Sequence, residues 1–186
     1  MHPANTTLLK YDYDENSELI GNYWESVVVG NKKLIAFARA GTSNTPKLAY
    51  STNGAMSWSY ISTPFDKLGI LSACYNEFLN KFIAFSSSVI FYSTDGIIWK
   101  KGQLSSALTN NGAPANFYYP CCNGRITIAC DNNNSNNICY SEDGINWSKA
   151  TLSTSVDSQA FLTCYGDKFV IILYNKTQVL TSTNGS

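Results

Sequence analysis

The sequence predicts an all-β fold, a β-propeller of four blades, each a meander of four strands. Three observations carry that prediction. A short string recurs along the 186 residues, as STNGAMSW at 51–58, STDGIIW at 93–99, SEDGINW at 141–147 and STNGS at 182–186, with first residues 42, 48 and 41 positions apart. A second string recurs upstream of each: VVVGNKKLIAFA, CYNEFLNKFIAFS, CCNGRITIAC and CYGDKFVIIL. Each of these is a β-rich run, a polar turn and a second β-rich run, the signature of a hairpin. No segment carries a capped apolar stripe of helical period, so helix is minimal. Two anchors with one period mean duplication, and a four-stranded unit of about 40–45 residues has the length of a propeller blade.

The elements follow in order. Residues 6–14, TTLLKYDYD, read as a lone outer strand, because 16 positions separate Tyr13 from Val29 as 16 separate Trp58 from Cys74. Blades are expected at about 24–63, 68–105, 116–152 and 158–186. In the second, the strands fall near 71–76, 81–86, 89–94 and 97–104. The last blade reaches Ser186 where its fourth strand should begin. Strand 6–14 is therefore expected to complete it and close the ring, leaving no exposed edge. Cys74, Cys121 and Cys164 align with Val29 at one repeat position, which reads as a small buried apolar site. Cys130 and Cys139 flank the Asn-rich loop and can face each other as one disulfide, but free thiols are the favoured reading.

Composition narrows the function. Thirteen Lys and Arg balance thirteen Asp and Glu, which removes the basic stripe of a nucleic-acid binder and the polybasic patch of a membrane-surface protein. Charged residues are 14 %, against about 25 % in an average domain. The polar part is instead 20 Asn, 22 Ser and 15 Thr. No apolar run reaches the ~18 residues of a membrane span. The amino terminus lacks the basic region and apolar core of a secretory signal. The expected setting is the cytoplasm or a virion, with neither nucleic acid nor membrane insertion.

The recurring turn has a physical logic. Asp95 and Asp143 can accept hydrogen bonds from backbone N–H groups two residues on, and Asn53 and Asn184 can replace them. Gly54, Gly96, Gly144 and Gly185 supply positive φ beside them. Ser51, Ser93, Ser141 and Ser182 open the four copies, and Trp58, Trp99 and Trp147 close three, packing between blades. Ser-x-Asp-Gly-x-x-Trp resembles the Asp-box, the bacterial-neuraminidase-type repeat of sialidase-like β-propellers, in a form one residue shorter between Asp and Gly. The resemblance covers four units. It implies that these residues are structural, because such turns sit away from catalytic centres in that family. Asn/Ser/Thr-rich propeller repeats of this kind also resemble those of bacteriophage tail and virion proteins.

Candidate chemistry is sparse. Sialidases clamp the substrate carboxylate with three arginines, whereas this chain has two, Arg39 and Arg125, at different repeat positions. The single histidine, His2, cannot support Ser-His-Asp or Cys-His catalysis or a His-based zinc site. The cysteines lack metal-ligand spacing, so no metal or cofactor is expected. The reading is a non-enzymatic binding or structural module, a phage virion or tail component that engages a protein or glycan surface and can self-associate into a homo-oligomer. The alternatives are a glycosidase-like enzyme, or a fragment of a larger propeller. Departures from the repeat mark the expected binding face: the expansions at 102–120 and 131–137. They place Tyr118, Tyr119 and Asn133 together, with Phe117 in the same aromatic cluster and Arg39 and Trp24 near the same face.

Overall fold

The computed structural model describes residues 24–39, 48–61, 69–86, 89–110, 113–131, 137–152, 160–173 and 179–183. Strand 6–14, Asn133, Asn184 and Gly185 lie outside them. Sheet 1 is an antiparallel meander of β1 (Trp24–Gly30), β2 (Lys33–Ala38), β3 (Leu48–Ser51) and β4 (Ser59–Ile61). Sheet 2 repeats it with β5 (Ile70–Asn76), β6 (Lys81–Ser86), β7 (Ile90–Ser93) and β8 (Lys100–Lys101). A connecting stretch holds β9 (Gln103–Leu104), a short 3-10 turn and the small pair β10 (Thr109–Asn110) and β11 (Ala113–Pro114). Sheet 3 comprises β12 (Phe117–Cys122), β13 (Thr127–Asp131), β14 (Ile138–Ser141) and β15 (Asn146–Lys149), with β9 added parallel to β15. Sheet 4 has three strands, β16 (Ala160–Tyr165), β17 (Lys168–Leu173) and β18 (Val179–Ser182). The described residues contain no α-helix, and none of their helices is long and apolar enough to cross a membrane.

The second strand of each sheet explains the stacking. KLIAFA, KFIAFS and TIACD are apolar without alternation, which suits strands buried on both faces. Along β6, Phe82 and Ala84 join Phe37 and Leu48 of sheet 1, while Ile83 and Phe85 join Phe117 and Ala129 of sheet 3. Ile128 and Cys130 of β13 then meet Phe169 and Ile171 of β17. Three cores thus lie in series between four sheets. Two tryptophans fill the first two: Trp99 stacks edge-on to Phe37 at 5.5 Å, and Trp147 edge-on to Phe85 at 5.1 Å. Trp58 is only half-buried, because sheet 1 has no described neighbour on the side that its indole would cover.

The structure departs from the sequence reading at the fourth strand of sheet 2 and in the cysteine alignment, and it bears on the thiols and on closure. The strand read over 97–104 divides at Gly102: β8 stays in sheet 2 and β9 crosses to sheet 3. The Gly102 amide donates to Ile90 O and that of Gln103 to Ile145 O, each at 2.7 Å; a Cβ on Gly102 would lie 2.9 Å from the Ile145 carbonyl oxygen. The cysteine alignment shifts by one rung. Cys74 pairs with Ile83 and Cys121 with Ile128, as Val28 does with Ile35; Cys164 pairs with Phe169, as Cys122 does with Thr127 and Val29 with Leu34. The cause is turn length, two residues between β1 and β2 against four between β5 and β6. Cys130 and Cys139 do not form a bridge, and all six cysteines are free. Cys130 pairs with Ile138 and Cys139 with Ala129 on adjacent rungs, so they point to opposite faces and into different cores. Finally, the sheets do not close among the described residues. β1 packs on β5, β5 on β12 and β12 on β16, and no comparable packing joins β16 to β1 among the described residues. Among the described residues, sheet 1 carries exposed Val27 and Val29 at one end of the stack, and sheet 4 carries exposed Tyr165, Ile172 and Val179 at the other.

Candidate functional site

The meander gives each stack two polar ends. One end holds the turns from first to second strand and from third to fourth; the other holds the longer loops. At the turn end, the Ser93 hydroxyl donates to Asp95 Oδ1 at 2.9 Å and accepts the Gly96 amide at 2.8 Å. Asp95 Oδ1 accepts the amides of Ile97 and Ile98, each at 2.8 Å. Ser141 and Asp143 repeat this with Gly144, Ile145 and Asn146. In the first copy Asn53 Oδ1 accepts the Ser57 amide at 3.1 Å and Ser51 Oγ the Ala55 amide at 3.0 Å, a looser turn with one more residue. Burial raises the Asp143 carboxyl, but the amides of Asn146 and Ile145 and the side chains of Asn146 and Ser141 outweigh it and hold it at about 2. Asp95 is lowered in the same way: burial raises it, and the Ile98 and Ile97 amides prevail. Gly96 has φ +74, and a Cβ there would overlap the Ile35 side chain, so the turn of sheet 2 docks on sheet 1. Lys33 Nζ donates to Asp95 O at 2.7 Å, and Asn123 Nδ2 to Asp167 O at 2.9 Å and Thr183 O at 3.1 Å, tying neighbouring sheets. These polar groups are engaged in holding backbone.

The loop end is built differently. β12 carries an extra residue against β13 between Tyr118 and Cys121, at Pro120, which has no N–H to give the ladder. Tyr119 sits there at φ +52, half out of the surface. A non-glycine residue in the left-handed region is strained by about 1–3 kcal/mol, and such strain concentrates at functional sites. The Tyr118 and Tyr119 rings lie 6.0 Å apart, and Phe161 of β16 joins Tyr119 at 5.2 Å, its own ring 39 % exposed. Three aromatic rings therefore bridge sheets 3 and 4. Sequence reasoning missed Phe161, whose place beside Tyr119 depends on how sheet 4 docks. It also misplaced Phe117: that ring is buried, 6.4 Å from Phe85 in the core, with Leu108 and Ala115 of the same expansion buried beside it. The 102–120 expansion is partly core. Trp24, half-buried, and Arg39, exposed, stand at the loop end of sheet 1 with sheet 2 between them and the tyrosines. Arg125 is exposed at the turn end. Among the described residues no group of three or more His, Cys, Asp or Glu could hold a metal ion.

A cavity of about 280 Å³ lies between sheets 3 and 4, lined by Ile128, Ile138, Leu152, Phe169, Ile171 and Leu180. It occupies the place that Trp99 and Trp147 fill between the earlier sheets.

No family model matches the chain, and no curated protein matches its sequence. Solved structures do match. The computationally designed Ika4 protein is 9 % identical, with a TM-score of 0.59 over 89 % of this chain and 94 % of that one. Apo AztD from Citrobacter koseri is 8 % identical at TM-score 0.55, over 87 % of this chain and 45 % of that one. The Hadza microbial sialidase Hz136 is 14 % identical at TM-score 0.52, over 86 % and 42 %. The chain thus spans under half the length of the last two. The reading of the chain as not an enzyme is corrected here: it rested on missing arginines and histidines, and the chain shares its fold with a sialidase, so the fold is one that carries catalysis. At these identities the likeness is one of fold, and the chain has an all-β, β-propeller-like fold of the kind found in sialidases.

Proposed function

We propose that this chain is a four-bladed propeller module whose loop end binds a glycan surface, with Tyr118, Tyr119 and Phe161 as the platform. The single observation that carries the reading is the aromatic bridge across sheets 3 and 4, exposed where the repeat is broken and held by a strained backbone. Aromatic rings offer a flat apolar face to a sugar ring at low cost in conformational entropy. Arg39 and Trp24, at the loop end of sheet 1, are assigned to a separate part of the same end, and Asn133, outside the described residues, is kept as a candidate contact on its sequence alone. The virion or tail setting rests on the sequence resemblance alone. Residues 6–14, outside the described residues, are assigned on the repeat alone as the fourth strand of sheet 4. That would close the ring or join it to a second copy.

The test is a glycan array followed by calorimetry, with melting measured on the same preparations. Tyr119→Ala and Phe161→Ala should each weaken binding by about tenfold or more, roughly 1.4 kcal/mol or more, while melting changes little. Binding loss that only follows unfolding, or loss on Asp95→Asn in a folded protein, would refute this face. Sugar released from the array would identify hydrolysis at the same surface, and retention of protein partners alone would exclude the glycan.

A further inference from the structure

The first strands of sheets 2, 3 and 4 carry four of the six thiols: Cys74 on β5, Cys121 and Cys122 on β12, and Cys164 on β16. Cys74 and Cys121 occupy one rung and Cys122 and Cys164 the next. Neighbouring sheets are offset by that one rung, so each interface brings a thiol of the first kind against one of the second. The Cys122 and Cys74 sulfurs are 3.8 Å apart, and Cys121 and Cys164 hold the equivalent positions on β12 and β16, which pack against each other. Between sheets 1 and 2 the same positions hold Val28 and Tyr75. Packing alone asks only for a small apolar side chain at these places; it does not ask for sulfur facing sulfur at two successive interfaces.

We propose that Cys74–Cys122 and Cys121–Cys164 are two oxidisable dithiols, which a low-molecular-weight disulfide converts into two bridges stapling sheets 2, 3 and 4. The geometry is close: a sulfur separation of 3.8 Å must shorten to about 2.05 Å, within reach of a side-chain rotation and a small strand shift. All four side chains are half-buried rather than sealed, unlike Cys130 and Cys139. Hydrogen bonds from their partners also favour thiolate at Cys122 and Cys164, and push Cys74 and Cys121 up. Either sulfur of a pair can be the attacking thiolate, and the course is the same with the two exchanged. The Cys122 thiolate attacks one sulfur of the oxidant RSSR, forming a mixed disulfide and releasing RS⁻. Cys74, losing its proton, then attacks Cys122 Sγ and displaces the second RS⁻. Two protein thiols are oxidised and one RSSR becomes two RSH. Cys164 and Cys121 follow the same course.

The experiment treats the reduced whole chain with oxidised glutathione and reads its intact mass. Two bridges remove four hydrogens, so the wild type should lose about 4 Da. Cys74→Ser and Cys164→Ser should each form one bridge, a loss of about 2 Da once the mass of any glutathione held by the stranded partner cysteine is subtracted, and the double variant Cys74→Ser/Cys164→Ser should form none. Peptide mapping of the oxidised wild type should give one cluster joining the Cys74 and Cys164 peptides to that of Cys121 and Cys122. This needs no variant and so covers a substitution that fails to fold. Oxidation should raise melting by on the order of 10 °C, reversed by reductant. Stable glutathione adducts on the wild type without loss of hydrogen would overturn the proposal. So would a 2 Da loss in the folded double variant, which would mean a bridge between Cys121 and Cys122 or one through Cys130 or Cys139. A bridged protein that melts no higher than the reduced one would overturn the stapling.

Discussion

Trp99 and Trp147 occupy equivalent sockets but differ in one atom's surroundings, and that difference makes a sharp prediction. Trp99 Nε1 donates to Gly96 O at 3.1 Å. Trp147 Nε1 is buried with no partner among the described residues. Replacing either indole by phenyl removes similar apolar area and costs about 1–2 kcal/mol. At Trp99 the change also loses a hydrogen bond of net ~1 kcal/mol. At Trp147 it removes an unsatisfied N–H whose burial costs about 1–3 kcal/mol, offsetting the lost area. Trp147→Phe should therefore be near neutral, and Trp99→Phe costlier by about 2–4 kcal/mol. Trp99→Ala and Trp147→Ala should each cost about 3–5 kcal/mol, because both side chains are core. Urea unfolding with unchanged m-values is the assay. If Trp147→Phe costs as much as Trp99→Phe, the indole N–H of Trp147 has a partner and the reasoning fails.

Two further predictions concern the turns. The Asp143 carboxyl is depressed to about 2 in the fold, so its contribution is present above its unfolded value and fades as pH falls from about 4 to about 2. Asp143 is only partly buried, so after discounting for solvent screening the amount is under about 1 kcal/mol; urea midpoints across that window should flatten in Asp143→Asn, and an unchanged slope would sink the assignment. Gly96 and Gly54 share a positive φ, +74 and +72, but a Cβ at Gly96 would overlap Ile35 while Gly54 faces open space. Gly96→Ala should cost about 2–4 kcal/mol, from backbone strain plus overpacking, against about 1 kcal/mol for Gly54→Ala; equal losses would mean that Gly96 does not approach sheet 1.

Much of the architecture was legible because it is local. Strand periodicity, turn residues and duplication are properties of neighbouring residues, and KFIAFS between two polar turns can only be a strand buried on both sides. The Ser93–Asp95–Gly96 turn is equally local, since its donors and acceptor lie within five residues. The glycan-binding candidates were legible in part: Tyr118 and Tyr119 stood out as a break in the repeat.

Sequence by itself determined the all-β composition, the repeated meander and the chemistry of the recurring turn, because each follows from residues close along the chain. The tertiary structure decided everything that depends on how one sheet meets the next. Turn lengths of two and four residues are nearly invisible to a repeat alignment, yet they put Cys164 one rung away from Cys74 and Cys121, and the one-rung offset between docked sheets then sets Cys74 against Cys122 rather than beside Cys121. The crossing at Gly102 is set by carbonyls of Ile90 and Ile145 that belong to different sheets. Phe117 went into the core and Phe161 came to Tyr119 because docking, not local pattern, distributes aromatic side chains between interior and surface.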